Sequence, residues 1–240
     1  MANLIIDIGN TAVKASWSDG MTLGKTFRYQ GEKVMDFILS IVGKEKPRVM
    51  VVASVYGISA QDESRLKAVC SHLMILDNSH PKLLEEKGLP AYLTYDRAAS
   101  ILAARYLFRG RGCTVVDFGT TLTVDFTDPD GTYRGGNISL GCRTRFKALN
   151  RYSRALPLVN MQEETPVLGD SATTSMTAGV VSGILFEIEG YIGLKPENII
   201  VFTGGDAIYF AKRMKNSIFV VCNLVLMGLA LMADEYVKNL

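Results

Sequence analysis

The sequence predicts an α/β fold built twice. Three observations predict it: an internal echo between the halves, a polar turn after an apolar strand in each copy, and alternating helix-like and strand-like patterns after each turn. The echo is Leu4-Ile5-Ile6-Asp7-Ile8-Gly9-Asn10-Thr11, which returns 110 residues later as Thr114-Val115-Val116-Asp117-Phe118-Gly119-Thr120-Thr121. A second alternating run then ends each copy in Asp-Gly, at Asp19-Gly20 and Asp130-Gly131, a dipeptide suited to tight hairpin turns. Asp-x-Gly alone could arise by chance. Matching strands and turns on both sides of it argue for duplication.

The elements follow in order. After the first hairpin, Lys33 to Val42 predicts a helix, Arg48 to Ser54 a strand and Glu63 to His72 a second helix. Asp96 to Phe108 predicts another helix, with Ala98, Ile101, Leu102 and Ala104 on helical spacing, and Gly110-Arg111-Gly112 punctuates its end. The expected domains are therefore residues 1–110 and 111–240. In the second half, Thr144 to Tyr152 and Ser175 to Ile192 predict helices. Ile199 to Phe202 predicts a strand that turns at Gly204-Gly205 into a helix through Lys215. Ser217 to Ala233 is uncharged, but it is shorter than the ~20 residues a spanning helix needs and holds Asn223 and Gly228, so a buried strand and a buried helix are expected.

Composition narrows the partner. The chain has 240 residues, 48% hydrophobic and 21% charged, enough to bury a large core. A net charge of +2, without a basic stripe or acidic tail, points away from nucleic acid and membrane and toward a small molecule. Cys70, Cys113, Cys142 and Cys222 are far apart, and with His72 and His80 they make no zinc or disulfide spacing. The N-terminus runs directly into an apolar strand with no basic leader, so a cytoplasmic location is expected.

Binding phosphate without a P-loop takes backbone amides and short hydroxyls on a tight turn, with an acid nearby to hold the neutralising metal. Asp7, Gly9, Asn10 and Thr11 supply those groups, and Lys14 could reach a phosphate. Asp117, Gly119, Thr120 and Thr121 supply them again. Gly9 lets backbone approach the nucleotide, and Asp7 would orient a magnesium ion through water. A single such turn is more simply a hairpin without ligand; two at equivalent positions favour a site. Thr203-Gly204-Gly205-Asp206, between a strand and a helix, suits close passage of a nucleoside, although two glycines often serve turn geometry alone.

These three segments resemble the acetate and sugar kinase, heat-shock ATPase and actin superfamily, whose two ribonuclease H-like domains each give a phosphate-binding hairpin. That resemblance implies an actin-like ATPase fold with ATP in a cleft between the domains. Within it, Asp7 to Thr11, Tyr95-Asp96-Arg97, Val116 to Asp125, Gly135-Gly136-Asn137-Ile138, Leu156-Pro157-Leu158-Val159 and Asn223 to Leu229 are similar to type III pantothenate kinase over nearly the whole chain. The resemblance implies ATP-dependent phosphorylation of the primary hydroxyl of pantothenate, in coenzyme A synthesis, by a cytoplasmic homodimer. It further implies Asp96 as general base and Arg97 as a holder of pantothenate, with Thr94, Tyr95 and Thr173 at the substrate. Asp117 would take a monovalent cation, potassium or ammonium, and Thr120 would meet ATP.

From the residues alone, Asp96 is also a plausible N-cap, because it directly precedes a helical pattern. The chain departs from the family pattern at four positions: Thr94 replaces a Gly, Lys87 a Tyr, Leu140 a Pro, and Ala172 stands at or near a Thr, with Thr173 and Thr174 beside it. These changes cluster at the pantothenate side. Two alternatives therefore stay open, a non-catalytic nucleotide-binding regulator and a kinase for another small hydroxylated acid.

Overall fold

The computed structural model describes residues 2–43, 45–77 and 82–239, so His80 lies outside the described residues. Ten strands and eight helices alternate along them, in two units. The first unit comprises Met1–Leu107 with Asn223–Leu240, and the second Phe108–Cys222.

The first unit is built on β1 (Asn3–Ile8), β2 (Val13–Asp19), β3 (Thr22–Tyr29), β4 (Val49–Ser54) and β5 (His72–Leu76). Their order in the sheet is β3-β2-β1-β4-β5, with β1–β2–β3 an antiparallel meander and β4 and β5 parallel to β1. Strand side chains alternate between faces. Leu4, Ile6, Ile8, Val13 and Ala15 face one core with Ile38 and Val42 of α1 (Val34–Val42) and Leu66 of α2 (Ala60–Val69). The opposite face, with Ile5 and Val51 fully buried, carries α4 (Tyr95–Leu107) and α8 (Leu224–Lys238). The short α3 (Lys82–Glu86) lies between β5 and α4 in the chain.

The second unit repeats the plan. Its sheet contains β6 (Cys113–Phe118), β7 (Thr121–Thr127), β8 (Tyr133–Leu140), β9 (Ile199–Gly204) and β10 (Ile218–Val220), in the order β10-β9-β6-β7-β8. Again two antiparallel partners lie on one side of the first strand and two parallel ones on the other. Val116, Phe118, Leu122 and Val124 pack against α5 (Cys142–Tyr152), α6 (Ala172–Leu194) and α7 (Ala207–Ala211) through Phe146, Ile184, Ile188 and Phe210. A capping box starts α6, with the Ser171 hydroxyl accepting from the Thr174 amide and the Thr174 hydroxyl taking the Ser171 amide. By length and composition α6 could also cross a membrane. Its Val180, Val181, Ile184 and Ile188 instead belong to the buried cluster.

Two expected helices end early. The helix predicted to reach His72 stops at Val69, because Cys70 is extended and His72 to Leu76 pairs in parallel with β4. That run is apolar without alternation, so its period does not separate strand from helix. The helix predicted through Lys215 ends at Ala211, where Arg213 and Met214 donate to the carbonyls of Phe210 and Ala211, three residues back.

Candidate active site

In the first unit, β1, the central strand, delivers Asp7 to the C-terminal end of the sheet, one residue before the strand ends. Asp7 is 8% exposed and stands directly across from Lys14, which sets opposite charges side by side on one sheet face. The turn spans Gly9 to Ala12 and closes when the Gly9 amide donates to the Ala12 carbonyl at 3.1 Å. Asn10 and Thr11 at its tip are exposed. Because Ile8 pairs with Ser54, the chain leaving β4 runs beside this turn: the Val55 amide donates to the Ile8 carbonyl at 3.2 Å. The Tyr56 hydroxyl donates to Asn10 Oδ1 at 2.8 Å.

The start of α4 holds the second group of residues. The Thr94 carbonyl accepts from the Ala98 amide at 3.0 Å, so Thr94 occupies the cap position and the helix is already under way at Asp96. The N-cap reading of Asp96 is thereby corrected. Thr, like Asp, is a residue type favoured at caps. Asp96 is half-buried, and its carboxylate accepts from the Arg97 amide at 2.8 Å in the helix's first turn, where the dipole favours an anion. Arg97 is 7% exposed and Tyr95 4%. Burial, assisted by the charge of Asp77, pushes the Tyr95 phenol up to about 12, so it remains a neutral donor at physiological pH. Behind this turn α4 crosses α8 closely: a Cβ on Gly228 would come 1.9 Å from the Ala99 carbonyl oxygen.

In the second unit, the β6–β7 turn and the β9 exit come together. Asp117 pairs with Thr203 and Phe118 with Gly204 in parallel register, and the Gly205 amide donates to the Phe118 carbonyl at 3.0 Å. Gly204 has φ +93°, and a Cβ there would lie 2.5 Å from both Asp117 Oδ1 and the Phe118 carbonyl oxygen. Only glycine fits that contact. The Gly119 amide closes the turn on the Thr121 carbonyl at 3.0 Å, and Gly119, Thr120 and Thr121 are exposed. Thr173 is exposed on the first turn of α6.

Several supporting residues had no sequence signal of their own. The Thr120 carbonyl accepts from the Gly141 amide at 3.0 Å and from the Thr144 hydroxyl at 2.7 Å, which ties the turn to the start of α5. A Cβ on Gly141 would meet the Gly119 carbonyl oxygen at 2.1 Å. Burial raises the Asp206 carboxyl against the opposing charge of Arg143, and burial with the charge of Asp206 pushes the Cys142 thiol up to about 12. The Gly of the Gly-Gly-x-Ile stretch was legible; the glycine after it became so only once β8 was placed against the turn.

Residues 3–193 match the family model for type III pantothenate kinase. The chain belongs to the type III pantothenate kinase family. It is 37% identical to the type III pantothenate kinase of Phocaeicola vulgatus over 232 residues, covering 95% of this chain and 96% of that one. Among solved structures, the activator of 2-hydroxyisocaproyl-CoA dehydratase from Clostridium difficile, with bound ADPNP, superposes with a TM-score of 0.61 at 13% identity, covering 100% of this chain and 96% of that one. The ROK hexokinase of Thermus thermophilus gives 0.55 at 12% identity, over 99% of this chain and 100% of the other. These likenesses establish the actin-like ATPase fold, two ribonuclease H-like sheets with helices, as the architecture of this family member.

The departures from the type III pantothenate kinase pattern now have places. Lys87 follows α3, pairs its ammonium with Glu235 of α8, and accepts at its carbonyl from Arg105 Nη1 at 3.0 Å. Its charge is thus taken up within the first unit. Leu140 ends β8 half-exposed, and its carbonyl accepts from Arg145 Nε at 2.7 Å. Arg145 also pairs with Glu187, whose other oxygen accepts from Ser139 at 2.6 Å. Ala172 is the first residue of α6.

Proposed function

We propose that this chain transfers the γ-phosphoryl group of ATP to the primary hydroxyl of pantothenate, giving 4'-phosphopantothenate at the start of coenzyme A synthesis. The observation that carries the reading is the start of α4, where a half-buried carboxylate, Asp96, adjoins a buried guanidinium, Arg97, in a chain of this family. Asp96 accepts the hydroxyl proton as the oxygen attacks, ADP leaves with the bridging oxygen, and Arg97 offers a fork to the substrate carboxylate. Thr94, Tyr95 and Thr173 are the further substrate contacts, with Tyr95 as a neutral donor.

The nucleotide falls to Asp7, Gly9, Asn10, Thr11 and Lys14 in one turn and to Gly119, Thr120 and Thr121 in the other, with Gly204 and Gly205 passing the nucleoside. The carboxylates of Asp7 and Asp117 are oxygen ligands, which suit hard cations. Asp117 fits a monovalent cation because Gly204, lacking a Cβ, leaves its Oδ1 beside the Phe118 carbonyl. Asp7 would orient magnesium through water, with the Thr11 hydroxyl donating to phosphate. When bound, the cations neutralise charge developing on the phosphates.

A homodimer is part of the same proposal. Between α5 and α6 runs a groove of about 760 Å³ lined by Leu140, Ala148, Leu149, Leu156 and Met176, and Tyr152 beside it is 84% exposed. A second copy would cover these apolar groups. Sedimentation should show a dimer that Tyr152→Glu weakens. We place the enzyme in the cytoplasm, where exposed thiols such as Cys222 stay reduced.

The deciding experiment is Asp96→Asn, assayed by ADP release with and without pantothenate and against a panel of other small hydroxy acids. The amide keeps the hydrogen bond to the Arg97 N–H but accepts no proton. Turnover should fall by about 100- to 10,000-fold with the melting temperature and ATP affinity held. Unchanged turnover per folded molecule would overturn the assignment of the base, and turnover on another acid in place of pantothenate would overturn the substrate.

A further inference from the structure

We infer that Tyr56 is a positioning residue for nucleotide binding, fixing the Asn10 side chain so that its amide hydrogens face the phosphates. The inference rests on the proposed role of the Asn10 turn. Asn10 is exposed at the tip of a hairpin, where an unrestrained amide would sample several rotamers and both orientations of its oxygen and nitrogen. The Tyr56 hydroxyl donates to Asn10 Oδ1 at 2.8 Å. That bond occupies the carbonyl end, so the two Nδ2 hydrogens are left as donors for an anion, and an anion is what the turn is proposed to meet.

Tyr56 is itself held from the sheet. Parallel pairing of β1 with β4 ends at Ile8 and Ser54, and the ladder continues one step further as the Val55 amide donates to the Ile8 carbonyl at 3.2 Å. The Ser54 hydroxyl then accepts from the Tyr56 amide at 3.1 Å, turning the chain toward the hairpin tip. The ring is 58% exposed, so no core requires it. A large aromatic residue that stands in solvent and spends its hydroxyl on a phosphate-turn side chain has a role in keeping that side chain in place. Ordering Asn10 before ATP arrives removes part of the entropy lost on binding.

The test is a double-mutant cycle on the full chain with Tyr56→Phe, Asn10→Ala and the pair, reading the KM for ATP, kcat, and direct ATP binding by calorimetry. Tyr56→Phe removes one hydroxyl from an exposed ring, and its melting temperature should match the parent. Its KM for ATP should rise about 3- to 10-fold with kcat within about twofold, the effect of one lost orienting hydrogen bond. Asn10→Ala should raise KM at least as much, and the pair should equal Asn10→Ala alone. If Asn10→Ala binds ATP normally, the role of the turn itself is wrong. If Asn10→Ala is impaired while Tyr56→Phe is normal, or the two effects multiply, Asn10 binds ATP without help from Tyr56 and the inference fails. Tyr56→Leu, which also lacks the hydroxyl, should reproduce Tyr56→Phe; a larger loss there would assign the effect to the ring instead.

Discussion

The two turns proposed to bind phosphate look alike in sequence and differ by one residue in structure. In the first, four residues from Gly9 to Ala12 separate the last strand pair, Ile8 and Val13; in the second, three from Gly119 to Thr121 separate Phe118 and Leu122. Strand side chains have a period of two, so a one-residue change in loop length would turn the following strand inside out unless its sequence shifts as well. It does: Val13 and Ala15 face the core in one unit, Leu122, Val124 and Phe126 in the other. The consequence falls on the acid. Asp7 is buried opposite Lys14, whereas Asp117 is half-exposed opposite Thr123. One acid therefore faces a lysine across its strand pair, and the other a threonine. The proposed magnesium site is thus the turn that also carries a lysine for phosphate, and the proposed monovalent-ion site the turn that does not.

The comparison is most sharply broken by exchanging charge for neutrality at each acid. Asp7→Asn should lower kcat by about 100-fold or more, because charge stabilisation dominates phosphoryl transfer. Asp117→Asn should instead abolish the rate difference between potassium and sodium buffers while retaining much of the basal rate. Equal losses in the two variants, or a wild-type rate indifferent to the monovalent ion, would show that the turns do not divide the work this way.

A smaller effect separates two neighbouring glycines. Gly204→Ala places a methyl where Asp117 Oδ1 and the Phe118 carbonyl lie, at φ +93°, and should destabilise the second unit by about 2–4 kcal/mol. At Gly205 nothing lies within 4 Å of an added Cβ, so Gly205→Ala should cost under about 1 kcal/mol. Chemical denaturation of the two variants measures both. If they melt alike, the close approach at Gly204 is not what positions Asp117.

Much of this was legible in the sequence because duplication compares a chain with itself. Hairpins, several strands and most helices followed from Asp-Gly turns and apolar period, and the family was readable from short motifs. Loop length was not: the echo aligns Thr11 with Thr121 as though the turns were equal. Nor was the support of each turn from distant residues, since Tyr56 and Thr144 carry no local pattern that marks them as partners of Asn10 and Thr120. Asp96 was correctly placed at a helix start but two residues late, because it is the Thr94 carbonyl that takes the first helical bond. The strand His72 to Leu76 hid in a short apolar run that only its pairing with β4 resolves.

The last helix has a consequence for how the enzyme is made. Residues Asn223–Leu240 belong to the first unit, although the whole second unit is synthesised before them. On the ribosome, β1 to α4 emerge early and must wait, with the Ile5 and Val51 face of their sheet only partly covered, until α8 follows. The close approach of Gly228 to the Ala99 carbonyl, which leaves no room for a Cβ, then lets α8 brace the helix bearing Asp96. Nascent chains cut short before Asn223 would carry every proposed phosphate-binding residue and still lack the helix that packs against α4, so the proposed base, Asp96, depends on a segment made after the whole second unit.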